Sequence, residues 1–205
     1  MLAAPLPALS RAPWLALALG FLVGCGGPSD REQIASVVER SLTSTELNEK
    51  CESLVSERFV VDVYGDRPEC RGVYIRNPGA DRIQDARVAA TRIDRDKATT
   101  RVMYRSQAGV DITGRLALAK VSGTWRIDRL GIDLLRSMVP TFAATNAGPM
   151  DVSEARCLLR ATRRLSSRAL RRVGYAFIGD RIEEGKVPDG VLDCVVESYQ
   201  ASRRR

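Results

Sequence analysis

A chain of 205 residues, 44% hydrophobic and 28% charged, is long enough for one domain of ordinary size, or a small α+β domain with a helical appendix, around a packed core. Basic side chains exceed acidic ones by seven, yet arginine far outnumbers lysine, a bias expected of a GC-rich genome more than of nucleic-acid binding. There is no histidine, so the usual acid–base catalyst is missing and nothing completes a zinc site with the cysteines.

At the N-terminus Arg11 precedes an apolar run from Pro13 to Val23 that closes on Leu22-Val23-Gly24-Cys25. One positive charge, an apolar stretch too short to span a bilayer, and small or aliphatic residues before a cysteine have the layout of an export signal. The motif resembles the lipobox of bacterial lipoproteins. That resemblance implies a diacylglyceryl group on the Cys25 thiol, removal of residues 1–24, and an address on the exported side of a bacterial cell membrane or outer membrane. An ordinary signal peptide or an uncleaved anchor is the alternative. Gly26-Gly27-Pro28-Ser29-Asp30 favours cleavage, because small and turn-forming residues make a tether over 25–29 rather than a continued helix. Export also argues against a nucleic-acid partner.

With Cys25 assigned to lipid, an even set remains: Cys51, Cys70, Cys157 and Cys194. Four thiols in an exported domain suggest two disulfides, and three connectivities exist in principle. Sequence proximity and the composition break at Asn146–Pro149 favour Cys51–Cys70 and Cys157–Cys194. Closing loops of roughly 20 and 40 residues removes unfolded-chain entropy worth about 3 to 4 kcal/mol each. No Cys-x-x-Cys motif points to redox chemistry instead.

The periodicity predicts helix first and sheet second. From Ser29 or Asp30, Ile34, Val37, Val38 and Leu42 recur at helical spacing behind a capping residue. A second helix is expected over Thr45–Arg58, with Leu47, Cys51, Leu54 and Val55 on one face. The β-branched run Phe59–Val63 reads as a strand, broken by Tyr64-Gly65-Asp66-Arg67-Pro68. Arg87–Ile93 is a further strand, turning at Asp94–Lys97 into one whose Ala98, Thr100, Val102 and Tyr104 share a face. Gln107-Ala108-Gly109 makes the next hairpin. Val110, Ile112, Leu116 and Leu118 then share a face, Val121-Ser122-Gly123 turns, and Trp125 and Ile127 continue the apolar side.

Helical pieces, a short β segment, then hairpins ending in Gly123-Thr124-Trp125-Arg126-Ile127-Asp128 resemble the NTF2-like, cystatin-related superfamily over about Asp30 to Leu130. The resemblance implies a strongly bent antiparallel sheet wrapped around helices, often enclosing a conical pocket, over residues 30–136. Enzymes of that superfamily commonly set an aspartate and a histidine in the pocket, and this chain has no histidine to match. Tyr64, Tyr104 and Trp125 are the residues suited to line such a pocket. Asp62, Asp111 and Asp128 are the candidate carboxylates, although acid–base catalysis needs two groups converging in different environments and their spacing does not impose that. Asp94-Arg95-Asp96 is a turn rather than a metal site, since two carboxylates cannot supply a calcium cage. No cofactor or metal is expected.

After Leu130, Asp133–Ala144 reads as a helix interrupted at Pro140, and residues 137–150 as a linker. From Asp151 to Arg205 a helical segment follows. Val152, Ala155, Leu159, Leu165, Ala169 and Val173 trace its apolar stripe, while Arg156, Arg160, Arg163, Arg164, Arg168, Arg171 and Arg172 crowd the remaining surface. A second helix over Val187–Ala201 would be stapled to the first by Cys157–Cys194. Held near a membrane by its anchor, the arginine surface suits anionic head groups, an acidic envelope protein or an anionic wall polymer. The plainer reading is a solvated face. The expected function is therefore non-catalytic binding or scaffolding by a lipid-anchored envelope protein. The alternative is a pocket isomerase, dehydratase or hydrolase using carboxylate and tyrosine groups.

Overall fold

The computed structural model describes residues 27–76, 83–106, 111–147, 152–181 and 188–194. Helix α1 (Asp30–Thr43) starts with a capping box: Ser29 Oγ accepts the Glu32 N–H while Glu32 accepts the Ser29 N–H at 2.7 Å. Its buried face is Ile34, Val37 and Val38, as the spacing predicts. The segment that resembles a lipobox, with Cys25, lies outside the described residues.

The expected helix over Thr45–Arg58 is shorter and different in kind. A π-turn spans Glu49–Ser53, and Val55 then pairs in parallel with Ile127 of the sheet. The run Phe59–Val63, expected as a strand, lies in helix α2 (Glu57–Val63). Ser56 decides this, because its Oγ accepts the Phe59 N–H at 3.1 Å and begins a new helix. Phe59, Val60 and Val63 then fall on one buried face, and that packing outweighs the weak β preference of valine. Helix α3 (Arg67–Arg76) was not expected. Asp66 caps it by accepting the Glu69 N–H at 2.7 Å, and Pro68 sits in the first turn, where a missing N–H costs nothing. The Cys51–Cys70 disulfide thus joins the π-turn to α3. Arg67 and Arg71 of α3 pair with Glu52 beside it at 2.9 and 2.6 Å.

Four strands follow, β1 (Gln84–Asp94), β2 (Lys97–Arg105), β3 (Asp111–Val121) and β4 (Thr124–Leu130), as an antiparallel meander in the order β1-β2-β3-β4. Alternation assigns the faces. Ala98, Thr100, Val102 and Tyr104 of β2, Ile112, Leu116 and Leu118 of β3, and Trp125, Ile127 and Leu130 of β4 are buried, with mostly exposed residues between them. The turn at Ser122-Gly123 has positive φ at both residues, +50° and +80°, which matches the twist of a tight hairpin. Register shifts interrupt β1 and the β3–β4 pairing, and such bulges bend the strands that carry them. The hairpin expected at Gln107-Ala108-Gly109 falls within residues 107–110, outside the described residues.

Helix α4 (Ile132–Ala147) passes through Pro140 without ending, so the expected interruption and most of the expected linker 137–150 are helix. Leu134, Leu135 and Val139 are buried on β3 and α6, and this packing carries the helix past the proline. The contact with β3 is close enough to require glycine: a Cβ on Gly114 would lie 2.3 Å from Leu134 Cα and 2.4 Å from its backbone nitrogen. Gly114→Ala is therefore expected to lower stability by about 2 to 3 kcal/mol or more in urea unfolding, since backbone and not a flexible side chain must yield. A loss under about 0.5 kcal/mol would mean that α4 stands off the sheet.

The arginine-rich segment is two helices, α5 (Val152–Arg164) and α6 (Ser167–Ile178). Ser166 separates them by accepting the Ala169 N–H at 3.2 Å as a new N-cap. Within α5 Leu158 is fully buried where Leu159 was expected, and Leu159 is exposed. Leu170, Val173 and Phe177 join the same buried cluster as the sheet. The side chains of Val152 and Ala155 lie outside the described residues. Of the helix expected over Val187–Ala201, residues 189–194 are helical, Pro188 precedes the helix, and residues 187 and 195–201 are not described. Cys157–Cys194 staples this turn to α5.

Candidate functional site

The three aromatics expected to line a pocket are core residues instead, each no more than 5% exposed. Tyr64, following α2, packs between the rings of Phe59 and Tyr74, its hydroxyl 3.2 Å from that of Tyr74. Tyr104 sits on the covered face of β2. The Trp125 indole N–H donates to Asp30 Oδ1 at 2.9 Å, and the Lys120 ammonium donates to the same oxygen at 2.7 Å. Lys120 first and Trp125 second hold the Asp30 carboxyl below the usual carboxylate range. A residue chosen as pocket lining thus ties the start of α1 to the last strand.

The three candidate carboxylates have separate partners. Asp62 lies 3.6 Å from Arg58 one turn earlier on α2, Asp111 takes the Arg105 guanidinium at 2.8 Å, and Asp128 accepts the Ser56 hydroxyl at 2.9 Å. Arg105 holds the Asp111 carboxyl below its ordinary value, which suits an ion pair and not a proton shuttle. Among the described residues no group of three carboxylates or thiols is placed to hold a metal ion.

The arginines form the distinctive surface. Arg156, Arg160, Arg163, Arg164, Arg168 and Arg172 are exposed and Arg171 is half-buried. Among the described residues no carboxylate lies within ion-pair distance of any of the seven. Among the described residues, two hollows open beside these arginines. One, of about 470 Å³, lies between α5 and residues 188–194 beside the Cys157–Cys194 bridge, with Arg160 and Arg164 in its wall. The other, of about 370 Å³, lies between α2 and α6.

The second hollow follows from helical spacing. Arg168, Arg171, Arg172 and Tyr175 stand at i, i+3, i+4 and i+7 on α6 and so share one face, which looks across to Asp62 on α2. Arg181 completes the wall. The chain reaches it through Gly179, where a Cβ would lie 2.1 Å from the Val63 carbonyl oxygen, so only glycine lets the backbone pass the end of α2. Tyr175 accepts the Leu130 N–H at 3.3 Å, and burial raises its pKa, so the hydroxyl keeps its proton. Four guanidinium groups, none of which loses its charge in a protein, thus face one carboxylate. The hollow attracts anions. Sequence reading found Arg168, Arg171 and Arg172 as surface charge but missed Arg181 and Tyr175, although the i, i+3, i+4, i+7 spacing of the α6 residues was there to be seen.

Comparison of the chain with protein-family models, with curated proteins and with solved structures finds no match. The class is therefore set by the chain's own architecture: an α+β protein with a four-stranded antiparallel sheet, several helices and two disulfides.

Proposed function

We propose that this is a non-catalytic, lipid-anchored protein of a bacterial envelope, held through Cys25 on the exported side and acting in binding or scaffolding. The observation that carries the reading is the cysteine pairing. Cys51 bonds Cys70 and Cys157 bonds Cys194, which leaves Cys25 as the one cysteine of the chain outside a described disulfide. Disulfides persist in oxidising, extracytoplasmic compartments, and a cysteine set at the end of an apolar leader fits lipid attachment. An NTF2-like domain is the finer fold assignment we favour, supported by the meander, its bulges and the helices against one face.

Binding is favoured over catalysis because the sheet's covered face is filled by Tyr104, Trp125 and their neighbours, and because the candidate aspartates do not converge. The arginine surface of α5 and α6 supplies a contact suited to an anionic membrane, each close basic residue adding about 1 kcal/mol.

Cys25→Ser tests the anchor. The wild type is expected in the membrane fraction with a diacylglyceryl-modified Cys25 at its mature N-terminus by mass spectrometry, and the variant released or mislocalised. A variant that still partitions wholly with membranes after alkaline washing would rule the anchor out.

A further inference from the structure

We propose that the hollow between α2 and α6 is a binding site for a diphosphate group, whether free or carried as the head group of a lipid. Charge, space and donor geometry each point there. Arg168, Arg171, Arg172 and Arg181 bring four fixed positive charges against the single carboxylate of Asp62, which Arg58 also pairs at 3.6 Å, leaving a net of three or more to be met. A diphosphate borne on a chain carries one negative charge on its inner phosphoryl and about 1.5 to 2 on its terminal one, close to that net, whereas one carboxylate does not meet it. A volume of about 370 Å³ is on the scale at which small-molecule sites begin and is roomy for a single tetrahedral oxyanion.

The donors are of the right kind. Guanidinium groups present planar forks that grip phosphoryl oxygens two at a time. Arg171 lines the hollow and is half-buried, so its guanidinium is more confined than those of the exposed Arg168 and Arg172 beside it. Arg168, Arg172 and Arg181 have no carboxylate within ion-pair distance among the described residues, so binding need not break an existing pair. The site differs from the diffuse basic surface of α5, where Arg156 and Arg163 border neither of the two hollows.

Isothermal titration of the full chain in detergent tests this with inorganic diphosphate, orthophosphate and geranyl diphosphate, the last a soluble stand-in for a lipid-borne head group. Diphosphate is expected to bind about tenfold or more tightly than orthophosphate. Arg171→Gln should weaken diphosphate by about tenfold or more, the worth of a charge-assisted hydrogen bond, and Arg171→Lys should also weaken it because the charge stays but the fork is lost. Arg163→Gln, which removes the same charge outside the hollow, should change affinity less than about twofold. Equal affinities for inorganic and geranyl diphosphate would support recognition of the diphosphate alone, and tighter geranyl diphosphate would assign the site to a lipid-borne group. The proposal is overturned by no diphosphate binding, by orthophosphate binding as tightly, or by equal losses in Arg171→Gln and Arg163→Gln. None of these readouts depends on lipidation of Cys25, so the anchor and the site stand or fall separately.

Discussion

Trp125→Ala is expected to lower stability by about 3 to 5 kcal/mol, the range for emptying a large aromatic from a packed interior. The ring is fully buried on β4, next to the strand's pairing with Val55, and its N–H holds Asp30 at the start of α1. Both the cavity and the loss of that tie act in the same direction. Trp125→Phe separates them, since it keeps most of the ring volume and removes only the N–H, and should cost clearly less. Urea unfolding of the wild type and both variants measures the difference. If alanine and phenylalanine cost the same, the hydrogen bond and not the packing is what Trp125 contributes.

Removing the Cys51–Cys70 bridge as the double variant Cys51→Ala with Cys70→Ala is expected to cost about 3 to 5 kcal/mol, at the upper end of values for native disulfides. Chain entropy alone would rank the other bridge higher by about 0.6 kcal/mol, because Cys157–Cys194 spans 37 residues against 19. Burial reverses the order. Both Cys51 and Cys70 are within 1% of complete burial and hold the π-turn and α3 together, whereas Cys157 is partly exposed and Cys194 sits on a short turn. Thermal unfolding of the two double variants side by side decides it. A larger loss for the Cys157–Cys194 pair would show that loop closure outweighs local packing.

Much of the sheet could be read from the chain because its information is local. Alternation set the faces of β2 and of β3 as far as Leu118, while in β4 it holds from Trp125 to Ile127, and turn chemistry at Arg95-Asp96 and Ser122-Gly123 set the hairpins. Cysteine parity and proximity likewise identified both disulfide pairs, because short loops close most readily. Asp66, Pro68 and Glu69 also carry the start of α3, where Tyr64-Gly65-Asp66-Arg67-Pro68 reads only as a break after the preceding run.

What needed the tertiary structure were the places where one segment's state depends on another's. The run Phe59–Val63 has a strand's composition, and it is helical because Ser56 caps it and the core takes Phe59, Val60 and Val63 on one side. Helix α4 packs closely on β3 because Gly114 leaves room for the backbone at Leu134, a contact visible in neither segment alone. The same holds for the site. Sequence spacing put Arg168, Arg171 and Arg172 on one helix, but only the approach of α6 to α2, with Gly179 threading past Val63, turned them with Arg181 into a hollow facing Asp62. Periodicity and turn chemistry act over a few residues and are written in order along the chain, whereas burial and charge convergence are properties of pairs distant in sequence and exist only once the chain has packed.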